Sequence, residues 1–558
     1  MVISLIKLIT QESSMHGLRH ITDDRRDKFS KIFWLCVVIT SICLLFLSGY
    51  NVYFKWNIAP EIGLRVNQKS MADLPFPAIT ICSSVLARDN LINLTKAINS
   101  VKAGQPIMYT PKEQNYFAAN SHICIPDHMK KVNDICKNRT EFNIMKLINE
   151  SSLNTGEMLK SCSFREISFD CEKLFTRSIT DYGYCHTFNM LDHDRIFNQD
   201  TISSDFDVFR KTNQLGINMS LQWTLDENYI VNRSQDILFP VRSLKKNILI
   251  FYTYLNETDS INTCQQIGKV FPIILHMPNE IPTPFHEEMY LEYGRRKQVT
   301  IMLKTYKSSN DLKKFRPKKR GCYFEGERQL KFFKSYTKAH CDFECMTNYT
   351  LKVCGCVKFS MPRTKGTPIC DIDKGDCYYN AMLQWPKDGE NSHRPCNCLE
   401  TCNSIKYNIL YSKDSFFSDY TGPSPLMDMK RGTYSVFLIR TRNHVIDEYE
   451  NFAEYRLQNF VADFGGLMGL FLGCSIISLV ELIYFCITGT FKKINFKRIS
   501  FGRKINNIPL TNSKLQQFPK KFSPKNRPLK SNADMWRTLD QLNSDFILHQ
   551  RTSQRVKF

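Results

Sequence analysis

"GGLMGLFLGCSIISLVE", residues 465–481, is apolar enough to dissolve in lipid, yet its details do not suit a passive anchor. Gly465, Gly469 and Gly473 recur every four residues and so share one helical face. Such small-residue stripes let helix backbones approach closely, so one reading is simple pairing with a second membrane helix. The other reading is a pore. Gly473-Cys474-Ser475 sets slim side chains together where backbone carbonyls can be exposed. Ser478 and Glu481 continue a polar line three or four residues on, and Asp463 stands at the entrance to the same stretch. Carboxylates inside a bilayer are costly and mark ion pathways or partners. Rings of carbonyls and acids replace the water shell of a permeating cation. One helix cannot enclose a lumen, so this reading requires several copies around an axis.

Two stretches are long enough to cross a bilayer, which takes roughly 20 apolar residues. Residues 32–53 (IFWLCVVITSICLLFLSGYNVY) carry no charge, and residues 464–487 carry only Glu481. The first starts late, runs long and lacks a small-residue cleavage site, so it reads as an anchor rather than a secretory signal. Arg25, Arg26, Lys28 and Lys31 precede the first stretch; Lys492, Lys493, Lys497 and Arg498 follow the second. Under the positive-inside rule both flanks are cytoplasmic. The seven N-x-S/T sequons, at Asn93, Asn138, Asn149, Asn218, Asn232, Asn256 and Asn348, all fall between the spans. Their segregation points to an extracellular loop. The divisions expected are a cytoplasmic start (1–31), a first span (32–54), an extracellular domain (55–459), a second span (460–487) and a basic cytoplasmic tail (488–558).

Charge and cysteine agree with that division. Of the net charge of +21, residues 488–558 contribute +13 and residues 1–31 only +2. Basic character that belongs mostly to one tail weakens any nucleic-acid reading and suits contact with an anionic leaflet. Seventeen of the 21 cysteines lie in the loop; the others are Cys36 and Cys43 in the first span and Cys474 and Cys486 in the second. So many, closely spaced and outside the cell, imply disulfides rather than zinc sites. An odd count leaves at least one free or bonded to another chain.

The loop reads as α+β. "LPFPAITIC" is a short strand bracketed by prolines, and "EFNIMKLINESSL" is a helix. "INMSLQWTL", "NILIFYTYL", "KVFPIILHM", "QVTIMLKTY" and "TYSVFLIRT" are strand-like, and residues 322–402 form a cysteine-dense block. No G-x-G-x-x-G, P-loop, H-E-x-x-H or G-x-S-x-G is present, so nothing nominates an enzyme. His186 and His340, each beside a cysteine, read as structural.

These residues carry a resemblance. "SSMHGLRHI", "FPAITIC", "GYCHTFN", "CDFECMTNYTLKVCGCVKFSMPR", "CNCLETCNSIKY" and "GGLMGLFLGCSIISLVELIYF", in that order, resemble the degenerin/epithelial sodium channel family, the amiloride-sensitive sodium channels, and most of all its insect pickpocket branch. The match runs from about residue 13 to 490. It implies an α+β membrane protein with two transmembrane helices under a hand-shaped, disulfide-rich ectodomain of palm, finger, thumb, knuckle and β-ball. It implies a subunit of a trimeric, sodium-preferring plasma-membrane channel, homomeric or mixed with related subunits. Its partners would be those subunits and membrane lipid, with no nucleic acid and no cofactor beyond the permeant sodium ion. Gly473, Cys474 and Ser475 would be the selectivity tract; Asp463, Gly466, Gly469, Ser478 and Glu481 would line the pore. His16, Gly17 and Asn459 would act in gating, Asn459 being bulkier than the small residue usual at its position. The disulfides implied are Cys82–Cys185, Cys162–Cys171, Cys322–Cys402, Cys341–Cys398, Cys345–Cys396, Cys354–Cys377 and Cys356–Cys370. Of the rest, Cys124 would pair with Cys136 and leave Cys264 free. Two rival readings are an ATP-gated channel, whose start carries a different motif, and a glycosylated adhesion or accessory receptor. A pure receptor has no use for Ser478 and Glu481 in the membrane, which leaves a non-conducting accessory or receptor-like subunit of a heteromeric channel as the alternative.

Overall fold

The computed structural model describes residues 17–23, 25–58, 61–209, 243–255, 270–384, 396–416 and 434–484, less a few single positions and short breaks within them. The expected strand at 217–225, Asn218, Asn232, Asn256, Cys264, Cys486 and the basic tail lie outside these residues.

Proline dictates where the central strand begins. Pro75 and Pro77 precede Ala78–Ile81, which is wholly buried and paired on both edges. A strand without a solvent face needs no polar alternation, which is why AITI is a continuous run. It is the middle of a five-stranded antiparallel sheet: Phe175–Thr180, Gly183–Phe188, Ala78–Ile81, Val270–His276 and Glu288–Glu292. A second sheet of eight strands has Arg295–Ser308 at its centre. That strand pairs antiparallel with Ser404–Phe416 and parallel with Tyr434–Thr441 and Val445–Ala453. Ile79, Phe188 and Phe271 from the first sheet, with Phe76 just before its central strand, meet Phe164, Phe251, Ile301 and Phe437 from the second in one core.

A second core holds the helices, with the cysteine ladder at its edge. Thr337 caps Lys338–Cys354 by accepting from the His340 N–H, and Gly355, at φ 73°, ends it in the left-handed conformation that glycine tolerates. Cys341 and Cys345 are four apart on this helix and therefore share a face. Cys396 and Cys398 are two apart. The two spacings match in reversed order, giving Cys341–Cys398 and Cys345–Cys396. Cys354–Cys377 and Cys356–Cys370 close the far end, and Cys322–Cys402 closes the base. Cys82–Cys185 ties two neighbouring strands of the five-stranded sheet, and Cys162–Cys171 closes a short loop.

One expected pair does not form. Cys136 is a free, buried thiol whose Sγ donates to the Gln114 carbonyl at 3.2 Å, and burial pushes its pKa up to about 12. Cys124 is disulfide-bonded, but not to Cys136. Cys136 closes the helix Pro126–Ile135 and points back at the helix Pro111–Ser121, so the thiol is spent on packing.

His186 and His340 are buried parts of the core, as is His276. His276 receives the Thr80 hydroxyl at Nε2 (2.8 Å) while Nδ1 faces the Met277 carbonyl, which fixes the neutral tautomer. His340 accepts the Ile281 N–H (3.2 Å) and stacks on Phe333. Burial lowers His186 and His276 to about 3, and His122 and His340 to about 4. An unfolded chain takes up these protons near pH 6.5. Between that pH and about 4 the unfolded state therefore binds more protons, and stability falls as pH falls. Melting curves of the purified protein are expected to shift steadily downward from pH 7.5 to 5. A His276→Gln variant, weaker at pH 7.5, is expected to lose less over the same interval. A melting temperature that stays level or rises on acidification would contradict the neutral assignments.

Candidate functional site

The chain enters and leaves its folded body through one ribbon. Ile62–Ser70 pairs antiparallel with Val445–Ala453, from Ile62 opposite Ala453 to Ser70 opposite Val445. Arg65 reaches Glu450 at 2.7 Å and Lys69 reaches Glu448 at 3.4 Å across the two strands. The first long helix, Lys28–Tyr53 continued by a wider turn at Phe54–Ile58, precedes this ribbon; the helix Leu457–Leu472 follows it. Among the described residues, Lys28–Ile58 is the one helix long and apolar enough to cross a membrane, while Leu457–Leu472 is shorter.

The two helices touch at their ribbon ends. Trp56 and Phe460 stack with centroids 4.7 Å apart, and Phe460 stacks on Phe464. Such aromatic pairs contribute about 0.5–1.5 kcal/mol beyond their buried area. One turn further from the ribbon, Gly49 admits the Phe464 ring: a Cβ there would stand 3.2 Å from it. The glycine stripe of the later helix plays no part in this packing. Nothing among the described residues lies within 4 Å of a Cβ placed on Gly465 or Gly466, and Gly469 meets only the Cys474 carbonyl at 3.8 Å.

Leu457–Leu472 stops where the sequence places three small residues. Gly473 adopts φ 63°, and its N–H bonds the Gly469 carbonyl at 3.0 Å, a left-handed helix end. Cys474 N–H turns back to the Met468 carbonyl. Helical structure then resumes, with Ser475 as its cap. The Ser478 N–H donates to Ser475 Oγ and the Ser475 N–H donates to Ser478 Oγ, both at 3.2 Å, a reciprocal cap of the capping-box kind. The N–H groups of Cys474 and Ser475 would serve the Leu470 and Phe471 carbonyls in an unbroken helix; here both are used elsewhere, so among the described residues those carbonyls are released from these two donors. Cys474 and Ser478 are buried and Ser475 is exposed. Glu481 begins a second unit, of which only positions 481, 483 and 484 are described.

The other expected site residues sit around this pair. Asp463 accepts from the Tyr455 hydroxyl, and Asn459 donates to the Glu454 carbonyl at 3.2 Å, which ties the start of the helix to the ribbon's end. His16 lies outside the described residues. Gly17 has φ 86° and begins the helix Leu18–Thr22; a Cβ on it would come within 3.0 Å of Val38. His20 packs on Trp34, so this segment lies against the first half of the long helix. Asn138, Asn149 and Asn348 are exposed, and Asn93 is half-buried with its Oδ1 capping a helix at the Lys96 N–H. Sequence reasoning missed two contacts onto the first helix. Lys319 Nζ donates to the Ile58 carbonyl at 2.7 Å, and Lys314 Nζ lies 5.3 Å from the Trp56 ring centre. The signal available was the basic run itself, beside the first cysteine of the ladder.

A released carbonyl set on an apolar helix, paired with a membrane-length helix, belongs to the chemistry of ion-conducting membrane proteins. The comparisons give the class its family. A family model described as "Amiloride-sensitive sodium channel" matches residues 9–485. Pickpocket protein 28 of Drosophila melanogaster is 25% identical over 85% of this chain and 77% of its own length. Acid-sensing ion channel 1C of Danio rerio is 23% identical over 86% and 82%. The bile acid-sensitive ion channel of Homo sapiens is 23% identical over 85% and 84%. The chain belongs to the amiloride-sensitive sodium channel family. It is a cation-channel subunit and not an enzyme.

Leucine at position 49 is expected to collide with the Phe464 ring. Overpacking of this kind costs on the order of 1–3 kcal/mol, so Gly49→Leu should lower the melting temperature of the detergent-solubilised protein, and adding Phe464→Ala should restore part of the loss. Equal melting of the single variant and the parent would remove this helix contact from the account.

Proposed function

We propose that the chain is one of three subunits around a sodium-preferring pore in the plasma membrane, with both termini cytoplasmic, residues 55–459 outside, and spans at 32–54 and 460–487. The observation that carries this reading is the helix break at Gly473–Ser475. Three copies would bring their slim Gly473-Cys474-Ser475 segments to one axis, with released carbonyls and the Ser475 hydroxyls able to replace water around a small cation. The unpacked stripe of Gly465, Gly466 and Gly469 supports a helix face turned toward a neighbour or a lumen rather than toward its own partner helix. Asp463 would raise the local concentration of cations at the mouth. Exposed sequons at Asn138, Asn149 and Asn348 and the many disulfides support an extracellular position for the folded body.

Gating would run from that body to the helices. The ladder stiffens the helix Lys338–Cys354, and the segment before Cys322 grips the first helix through Lys319 and Lys314. Movement of the ladder region would then tilt the first helix against Phe460 and Phe464, and a sensory stimulus could act there. Asn459 favours a mixed assembly: its side chain is exposed in the single chain, and three copies would crowd near the axis, where a smaller residue on a neighbouring subunit relieves them.

Whole-cell recording of the subunit, alone and with a related subunit, tests the reading. Replacing external sodium with a large organic cation is expected to abolish inward current. Ser475→Ala and Gly473→Ala should change the sodium-to-potassium permeability ratio several-fold, whereas altered surface delivery with the ratio intact would contradict the selectivity assignment. Asn459→Gly should reduce resting current; an unchanged open probability would remove Asn459 from gating.

A further inference from the structure

The segment Asn310–Gly321, NDLKKFRPKKRG, concentrates charge of one sign where the fold allows it little freedom. Lys313, Lys314, Arg316, Lys318 and Lys319 are all exposed. Between them, Leu312 and Phe315 are buried in a small core with Cys322, Phe324, Cys402 and Ala453. Arg320 is buried too. It pairs with Glu327, and its guanidinium donates to the carbonyls of Phe315 at 2.6 Å and Lys313 at 3.3 Å. The Cys322–Cys402 bridge fixes the segment's end. The five cations thus project from a pinned backbone rather than from a loose tail, and among the described residues none of them forms an ion pair. The carboxylates nearby in sequence or along the ribbon do not balance them: Asp311 is one charge, Glu61 pairs with Lys55, and Glu454 stands across the ribbon's end.

This patch sits at one level of the first helix. Lys319 holds the Ile58 carbonyl and Lys314 covers Trp56. Below them, Tyr50, Tyr53 and Phe54 are exposed large side chains at the end of the apolar stretch. Tyrosine and tryptophan collect where hydrocarbon meets water. From Tyr53 to Ile58 is little more than one helical turn, roughly 5–7 Å, which is about the thickness of a headgroup layer on one side of a bilayer. We propose that Lys313, Lys314, Arg316, Lys318 and Lys319 form a lipid-binding collar that grips phosphate oxygens of the surrounding leaflet and favours lipids of net negative charge. The proposal rests on the reading that Lys28–Ile58 spans the membrane. Its consequence is that the grip of the folded body on the first helix is made in contact with lipid, so membrane composition bears on the element that would transmit gating.

The test uses the full-length protein in nanodiscs of phosphatidylcholine with a minor fraction of phosphatidylglycerol. Lipid retained by the protein is quantified by mass spectrometry for the parent, for K313Q/R316Q/K318Q, and for the charge-keeping K313R/R316K/K318R. Lys314 and Lys319 are left in place because they hold the helix. The basic tail is common to all three proteins, so differences between them report the collar. Phosphatidylglycerol enrichment is expected to fall several-fold in the glutamine variant, to survive in the charge-keeping variant, and to weaken as salt shortens the screening length. Equal enrichment in parent and glutamine variant, with both folded to the same melting temperature, overturns the proposal. So does patch-dependent binding of a soluble polyanion in detergent with no lipid enrichment, which would assign the collar to an extracellular partner. Failure of the protein to enter nanodiscs at all would instead refute the membrane-spanning reading beneath it.

Discussion

The left-handed backbone at Gly473 is the constraint on which the account of conduction depends. Any side chain there would add roughly 1–2 kcal/mol of strain to the conformation that ends the helix. Without that end, the Leu470 and Phe471 carbonyls would stay bonded within the helix and have nothing to offer a cation. Ser475 makes the interruption stable from the other side, because its hydroxyl and that of Ser478 satisfy the backbone donors that the restart exposes. The break is therefore a built feature with a cap on each side, and not a frayed end. Cys474 between them is buried, whereas Ser475 is exposed.

The rest of the molecule holds this element in place. The ribbon of Ile62–Ser70 and Val445–Ala453 is the covalent route from both helices into the folded body, and it is tied laterally by Arg65–Glu450 and Lys69–Glu448. Surface pairs of this kind are worth at most about 1 kcal/mol each, so the ribbon's strength lies in its backbone pairing and in the aromatic contacts of Trp56, Phe460 and Phe464 below it. The ladder works on a different scale. Each bridge closing a loop of tens of residues contributes roughly 3–4 kcal/mol by restricting the unfolded chain. A stiff upper lever on a weakly tied ribbon is an arrangement in which displacement concentrates at the ribbon and at the helix contacts. Lys314 and Lys319 bridge those two regimes, since they belong to the segment anchored by Cys322 and reach the first helix directly.

Much of this was legible in the residues, for identifiable reasons. Runs such as NILIFYTYL, KVFPIILHM and TYSVFLIRT announce themselves because their faces are buried and β-branched or aromatic side chains fill them; they form Ile248–Tyr254, Val270–His276 and Tyr434–Thr441. The ribbon strands did not announce themselves. Ile62–Ser70 is mostly exposed, and its partner lies some 380 residues away, so neither burial nor local pairing marks it; the alternation of Ile62, Leu64 and Val66 was the only trace. Leu159–Phe164 and Ser404–Phe416 are equally polar and owe their form to the neighbours they pair with. The bridges followed from family resemblance and not from spacing, and where resemblance gave no guide, the expected Cys124–Cys136 pair is not the one that forms. The small residues at 473–475 suggested exposed carbonyls, but a continuous apolar stretch gave no sign that regular helix would stop at Leu472.

The central claim is that water reaches the broken segment while the opposite face of the same stretch meets lipid. Labelling by a membrane-impermeant thiol reagent on intact cells tests it without requiring that the subunit conduct alone. The account predicts that Ser475→Cys reacts above the background of the unsubstituted chain while Ile477→Cys, whose side chain is exposed in the single chain, does not. Equal labelling at both positions, or reaction at 477 with none at 475, would contradict it.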